Sequence, residues 1–195
     1  MPRLIDHVER DREIGEAAWR VLAREGLAGL SVRKVAEEAG LATASLRRAF
    51  PTQAALRAFC LARIQTAVGE RIHSHSGAGL SQVRAVLREV LPLDETRRAE
   101  LIVQMQLGSL ALTDPSLQGS VRQLSDGVRS VCVLALGELA RSGMARAISD
   151  VDAEVDRLHA LLDGLALQLL WSREPDESAR VAGVLDRHLA TLDAV

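Results

Sequence analysis

The stretch Ser31–Phe50, SVRKVAEEAGLATASLRRAF, decides the fold of this chain. In its first half, apolar residues recur at i, i+3, i+4 and i+7, the spacing of one helix face: Val32, Val35, Ala36 and Ala39. Ser31 can cap the first turn of that helix, and Gly40 can adopt the left-handed conformation that ends it. A tight turn then leads into a second helix at about residues 43–49. The pattern predicts two short helices joined by a glycine-containing turn.

The second helix of this pair has an apolar side and an outer side. Leu46 and Phe50 are expected to face inward, and the outer side carries small and basic residues: Thr43, Ala44, Arg47 and Arg48. Two helices joined in this way form a helix-turn-helix, whose second helix enters the major groove of DNA. The stretch therefore predicts a DNA-binding element.

The rest of the chain also has helical periodicity, at about residues 7–25, 52–73, 80–90, 94–113, 115–141, 150–171 and 176–192. Gly26 is expected to end the first of these helices, and Thr52 to cap the second. No strand signal is present, so we expect an all-α fold. The predicted domains are a helix-turn-helix domain at residues 1–51 and a larger helical domain at residues 52–195.

The composition favours helices and excludes several classes of protein. The 195 residues are 48% hydrophobic and only 2% aromatic, which suits a helical core better than an aromatic-rich sheet. The net charge of −2 argues against non-specific coating of nucleic acid, so any DNA contact must come from a local patch. Cys60 and Cys132 are too few and too far apart for a disulfide framework. Because no apolar run matches a membrane span or a signal peptide, we expect a cytoplasmic protein.

The helix-turn-helix stretch is similar to that of the TetR family of bacterial repressors. The residues that carry the resemblance are Gly26-Leu27, Ser31 to Leu41, Ser45-Leu46 and Phe50-Pro51, with Ala17-Ala18 upstream. A second stretch resembles the subgroup containing the repressor of choline-to-betaine genes: Leu91-Pro92-Leu93-Asp94-Glu95, then Arg97-Arg98-Ala99-Glu100. The resemblance implies a ligand-responsive transcriptional repressor, not an enzyme. It also implies a homodimer on a palindromic operator, with recognition helices about 34 Å apart in successive major grooves of double-stranded DNA.

By the same resemblance, DNA is contacted from three helices: the one that begins after Ser31, the recognition helix at about residues 43–49, and the start of the helix that follows Thr52. The implied DNA-binding residues are Arg33, Lys34, Ala42, Thr43, Ala44, Ser45, Arg47, Arg48, Thr52 and Gln53. Arg33 is implied to contact phosphate, and Thr43 and Ala44 to reach base edges. The helix start at Thr52–Gln53 would present backbone N–H groups to phosphate.

Three places depart from the family pattern. Ala42 stands where Ser or Thr usually caps the recognition helix, and Gln53 stands where a lysine is common. Arg47 and Arg48 stand where aromatic residues usually follow Leu46. The layout of charges facing the phosphates therefore differs from that of relatives, so their operators do not predict this one.

Several of these residues also have a purely structural interpretation. Arg47 and Arg48 can form a solvated helix face. The basic residues at 33–34 can pair with the glutamates at 37–38, one turn later. Thr43 can cap the recognition helix in place of the preceding alanine.

The C-terminal helices are implied to serve dimerisation and effector binding. The last two helices of each copy would form a four-helix interface through Leu158, Leu161, Leu162, Leu165, Leu169, Val184 and Leu185. Helices between residues 80 and 141 would enclose the cavity of an effector whose identity the sequence leaves open. Candidate lining residues are Gln104, Met105, Gln106, Ser109, Gln168 and Trp171. The scarcity of aromatic residues counts against cation–π recognition of a choline-like effector.

No group of residues in the sequence predicts catalysis, a metal site or a cofactor. His73 and His75 lie at i and i+2, which do not share a helix face, and His159 and Asp163 can pair or line a pocket. The main prediction is a dimeric repressor released from DNA by a small molecule. The alternative is a helical protein–protein adaptor that keeps the fold without binding an operator, which the missing lysine at Gln53 favours.

Overall fold

The structure is a computed structural model that describes residues 7–172 and 174–193. Within these residues the chain forms nine α-helices, one 3-10 turn and no strand, so the predicted all-α fold is confirmed. The helices are α1 His7–Gly29, α2 Val32–Glu38, α3 Thr43–Ala49, α4 Gln53–Ser74, α5 Gly79–Arg88, α6 Glu95–Ala111, α7 Gln118–Arg141, α8 Val151–Trp171 and α9 Glu177–Thr191, with the 3-10 turn Pro115–Leu117 before α7.

Short polar side chains and glycines set several helix ends. Ser31 Oγ accepts the backbone N–H of Lys34 at 3.3 Å at the start of α2, and Thr52 Oγ1 accepts that of Ala55 at 3.0 Å in the first turn of α4. Both predicted caps are confirmed. Gly26 has a φ of 66° and interrupts α1, although the helix bounds extend a little beyond it. These boundaries follow from local sequence alone.

The chain divides into two compact units. The first consists of Met1–Ile64, described from residue 7, together with Val103–Arg122; the second consists of Gln65–Ile102 and Gln123–Val195, described to residue 193 except for residue 173. Helices α4, α6 and α7 each contribute residues to both units. The sequence-based boundary after residue 51 separates predicted functions rather than compact units, and it stays a prediction.

Each unit has its own apolar core. In the first, α1 packs against α2 and α2 against α3, around side chains that are almost fully buried: Ile14, Val21, Val35 and Leu46. In the second, leucines and valines from α5, α7, α8 and α9 form one continuous cluster. Burying each such side chain contributes about 2 kcal/mol, so the cores hold the helices in place.

Across residues 7–172 and 174–193, no helix is both long and apolar enough to cross a lipid bilayer.

Candidate DNA-binding surface

The turn between α2 and α3 fixes the angle between the two helices. Gly40 has a φ of 66°, a left-handed conformation that a side chain would strain. The backbone N–H of Leu41 donates to the carbonyl of Ala36 at 2.9 Å, which closes the end of α2. The predicted role of Gly40 as a helix terminator is confirmed, and α3 follows after only two more residues.

Helix α3 is held by its apolar side and leaves its other side open. Leu46 is fully buried, and the ring of Phe50 lies 5.0 Å from that of Phe59 on α4, tilted by 56°. Arg47 and Arg48 are exposed. The predicted inward and outward sides of the recognition helix are therefore the ones that the structure has.

The N-terminus of α3 has no side-chain cap. Ala42 is the N-cap residue, with extended backbone angles (φ −63°, ψ 124°), and its methyl group makes no hydrogen bond. Thr43 is the first residue of the helix, so it does not replace Ala42 as the cap. Thr43 is partly exposed and Ala44 exposed, as side chains that approach a groove must be.

The basic residues of α2 differ in their partners. Lys34 Nζ pairs with the carboxylate of Glu25 on α1, whereas Arg33 is exposed and has no ion pair within the described residues. The hydrogen bond from Lys34 lowers the pKa of Glu25. Pairing of these cations with glutamates one turn later on α2 does not occur. Glu38 instead pairs with Arg20 of α1 at 2.7 Å.

The start of α4 is occupied by contacts within the protein. Thr52 caps the helix, and the side-chain amide of Gln53 donates to the carbonyl of Leu30, the connector between α1 and α2. Gln53 therefore ties α4 to the rest of the unit through its side chain. Its proposed contact with DNA rests on backbone N–H groups alone.

One contact at α3 was not predicted from the sequence. The Arg10 guanidinium on α1 donates from Nη2 to Ser45 Oγ at 2.6 Å. The two residues are 35 positions apart, and no periodicity or spacing rule connects them. Only the folded arrangement of α1, α2 and α3 brings them together.

The candidate effector residues are distributed over both units. Gln104 is partly buried, while Met105, Gln106 and Ser109 are exposed, and all four belong to the 103–122 segment of the first unit. Gln168 and Trp171 belong to the second unit. Gln168 accepts a hydrogen bond from Arg180 at 2.6 Å, and Trp171 is 76% exposed. Their role in effector binding stays a prediction.

The candidate dimer residues already contribute to the core of the single chain. Five of the seven are buried there: Leu158, Leu162, Leu165, Leu169 and Leu185. Leu161 and Val184 are partly buried beside the same core. The total apolar content of α8 and α9 does not by itself indicate which side chains are free to meet a second copy.

Charged groups in the second unit hold its helices together. Arg71 of α4 donates to both carboxylate oxygens of Glu100 on α6, at 3.0 and 2.8 Å, and pairs with Glu89 at 2.9 Å. The hydrogen bonds to Glu100 are the main cause of the raised pKa of Arg71. The side chain of Glu100 is only 9% exposed, so Arg71 is engaged in a largely buried ion pair that stabilises the fold.

The histidines of this region take part in pairwise contacts. His75 Nε2 lies 2.9 Å from Glu89, His73 Nδ1 lies 2.6 Å from the carbonyl of Gly69, and His159 lies 3.6 Å from Asp163. In the part of the chain that the structure describes, no three His, Cys, Asp or Glu residues are grouped as a metal site would need.

Comparison with known proteins agrees with this geometry. Residues 14–58 match the bacterial regulatory proteins of the tetR family, and residues 80–194 match the C-terminal domain of BetI-type transcriptional repressors. The HTH-type transcriptional regulator PksA of Bacillus subtilis (strain 168) is 32% identical, over 98% of this chain and 94% of PksA.

Two solved structures extend the likeness to the fold. A transcriptional regulator from Rhodococcus sp. Rha1 has a TM-score of 0.74 at 27% identity, over 95% of this chain and 98% of its own. The multidrug binding protein EbrR, complexed with ethidium, has a TM-score of 0.66 at 27% identity, over 91% of this chain and 97% of its own. The predicted family is confirmed over almost the whole length: the chain belongs to the TetR family of transcriptional regulators and has a C-terminal part of the BetI type.

Proposed function

We propose that the chain is a homodimeric cytoplasmic repressor that binds a palindromic operator through α3 and leaves it when a small molecule binds. The observation that carries the proposal is the exposed basic side of α3. Arg47 and Arg48 have no ion pair within the described residues, so their charge is available to phosphate. The opposite side of α3 is buried, which fixes the direction in which these arginines can act.

The proposed contacts divide into positioning and reading. Arg33, Arg47 and Arg48 neutralise phosphates and set the register on the duplex. Thr43 and Ala44 are small enough to let the helix backbone approach the base edges. Sequence preference thus comes from few side chains, and most of the affinity from charge, so affinity falls steeply with salt.

Dimerisation is proposed to use the outward faces of α8 and α9. On α8, small residues recur at helical spacing, the exposed Ala153 and Ala160 and the partly exposed Gly164, and on α9 the exposed Ala179 and the partly exposed Gly183 do the same. Small side chains let helix axes approach closely, which a four-helix interface between two copies requires. Of the interface residues that the sequence predicts, the partly exposed Leu161 and Val184 are the two that such a partner can reach.

The effector is proposed to be a small organic molecule that acts by shifting a population of conformers. A ligand that prefers the non-binding conformer about a hundredfold supplies about 2.7 kcal/mol per site, enough to empty an operator. The 62 residues from Leu80 to Arg141 contain no Phe, Trp or Tyr. An aromatic cage for a quaternary ammonium cannot be built from them, so a choline-like effector is disfavoured. The same lack of aromatic side chains leaves no ring in this segment to stack on a planar cation, so ethidium, which is bound in the EbrR complex, serves in a screen as a comparison ligand rather than as the expected effector.

The test is DNA binding by the full-length protein. Fluorescence anisotropy would compare labelled DNA from upstream of its own gene, and duplexes selected by the protein from a random pool, with a scrambled duplex across a salt series. Sedimentation would give the mass of the free protein and of the complex. We expect specific binding of two chains per site at nanomolar concentration.

Two outcomes would contradict the proposal. A protein that stays monomeric at micromolar concentration rules out the dimeric mechanism. Weak binding that ignores sequence, with nothing selected from the pool, rules out the repressor and favours the helical adaptor.

A further inference from the structure

Arg10 lies next to the recognition helix although it belongs to α1. Its Nη2 donates to Ser45 Oγ at 2.6 Å, a short hydrogen bond assisted by the positive charge of the donor. Ser45 comes three residues before Arg48 on α3, so the two share one side of the helix. The contact therefore places the Arg10 guanidinium beside the side of α3 that carries an exposed arginine.

The first unit contains several other arginines near α1, and most are neutralised by carboxylates. Arg12 pairs with Glu9 at 2.5 Å and also with Glu16. Arg20 and Arg24 both pair with Glu38, at 2.7 and 3.0 Å. These arginines form ion pairs within α1 or between α1 and α2, and glutamates neutralise their charge.

Arg10 differs from these neighbours because its partner is neutral. Among the described residues, Ser45 is the group that it binds, and no carboxylate lies within ion-pair distance. A guanidinium has five N–H donors and the serine hydroxyl uses one, and no residue between 7 and 172 or between 174 and 193 neutralises the charge of Arg10 or accepts from its remaining donors. The bond to Ser45 also fixes the side chain, which lowers the entropy lost when a ligand binds.

We infer that Arg10 is a DNA-contacting residue: held against α3 by Ser45, it binds a backbone phosphate beside the recognition helix. The inference rests on the proposed function and extends the DNA-binding surface from α2, α3 and α4 to α1. It also assigns Ser45 a positioning role, because its hydroxyl oxygen accepts from Arg10 and holds the guanidinium in place. The hydroxyl proton remains free to donate to another group.

The test compares single substitutions on the duplex selected by the wild-type protein. Arg10→Ala should weaken binding about tenfold and reduce the slope of log K against log salt by about 2, the signature of one lost phosphate contact in each of the two chains on the operator. Arg10→Lys should keep the slope, because it keeps the charge. Ser45→Ala should also keep the slope and lose about threefold in affinity, because the guanidinium remains but is no longer fixed.

Arg12→Ala is the matched control. It removes the same charge from the same helix two residues away, at a side chain already neutralised by two glutamates. We expect its affinity within about twofold of wild type and its slope unchanged. Circular dichroism melts verify that every variant is folded.

The outcomes separate this inference from the proposal beneath it. If Arg10→Ala binds like Arg12→Ala, with an unchanged salt slope, Arg10 does not contact DNA and only this inference fails. If the wild-type protein selects no duplex, the repressor proposal fails and takes the inference with it. A loss of affinity in Arg10→Ala with no change of slope, reproduced by Ser45→Ala, would assign Arg10 a packing role and also overturn the phosphate contact.

Discussion

The arginines on α3 and the arginine near the end of α4 are used in opposite ways. Arg47 and Arg48 are exposed and carry their charge into solvent, whereas Arg71 is surrounded by the buried Glu100 and by Glu89. Residue type alone does not distinguish them. Their protein partners do, because a charge that is already paired stabilises the fold and a charge without a partner can bind a ligand.

The contrast between paired and unpaired arginines would be contradicted most clearly if Arg71→Ala changed the free energy of unfolding only slightly. Removing this side chain leaves Glu100 buried without its two hydrogen bonds, so we expect the free energy of unfolding to fall by about 3 kcal/mol or more. Urea denaturation measures the loss. Arg84→Ala is the control, because Arg84 pairs with Asp186 at 2.7 Å where both side chains are more than a third exposed.

The control should lose less than about 1 kcal/mol, the usual value for an exposed ion pair. Equal losses in the two variants would mean that burial does not separate structural from available arginines in this chain.

The α3 arginines should give the reverse result. We expect Arg47→Ala combined with Arg48→Ala to leave stability within about 0.5 kcal/mol of wild type. Operator affinity should fall about a hundredfold, or roughly 2.7 kcal/mol, and the salt slope should fall by about 4, because each of the two chains on the operator loses two phosphate contacts. Arg88→Ala combined with Arg122→Ala removes two exposed charges elsewhere and corrects for net charge. Unchanged affinity and slope in the α3 variant would remove the main support for the repressor.

The sequence predicted local features well because their causes are local. Ser31, Gly40 and Thr52 each act on backbone within a few residues, and helix periodicity sets which side of α3 is buried. The family followed from the same stretch. These predictions needed no knowledge of how distant helices pack.

Contacts between helices could not be predicted in the same way. Arg10 with Ser45, and Gln53 with the carbonyl of Leu30, join residues far apart in sequence, and many other pairings would satisfy the same groups. The apolar residues of α8 illustrate a second limit. The sequence predicts that Leu158 meets a second copy, but its side chain lies in the core of its own chain. Periodicity predicts that a side chain is buried without indicating against what.

The N-termini of two helices show the same contrast between a group without a partner and a group that has one, with smaller effects on stability. Helices α3 and α5 both begin after an alanine, Ala42 and Ala78, with no capping side chain of their own. Ala42→Ser should supply the missing cap of α3 and raise the free energy of unfolding by about 0.5–1 kcal/mol. Ala44→Ser is the control, because a serine inside the helix cannot cap it and should lower stability slightly. No gain from Ala42→Ser would mean that its extended backbone does not suit capping.

The start of α5, unlike that of α3, is completed by another helix. Glu138 of α7 accepts the backbone N–H of Gly79 at 2.5 Å, and this hydrogen bond is the main cause of its pKa lying below the ordinary 4.5; Ser142 and Arg141 lower it further. A carboxyl with a lowered pKa in the folded state stabilises the protein above its ordinary pKa, and this contribution is lost as pH falls through the folded value.

Glu138→Gln keeps an oxygen acceptor for Gly79 but removes the charge. We therefore expect a melting temperature slightly below wild type at pH 7, with the difference closing as the pH falls below about 4.5. Melts from pH 7 to pH 3.5, with Glu70→Gln to correct for net charge, measure this smallest of the four effects. If the difference in melting temperature between Glu138→Gln and wild type stays constant over that range, the charge of Glu138 does not stabilise the start of α5. The contrast between the uncapped α3 and the α5 capped by another helix would then rest on geometry alone.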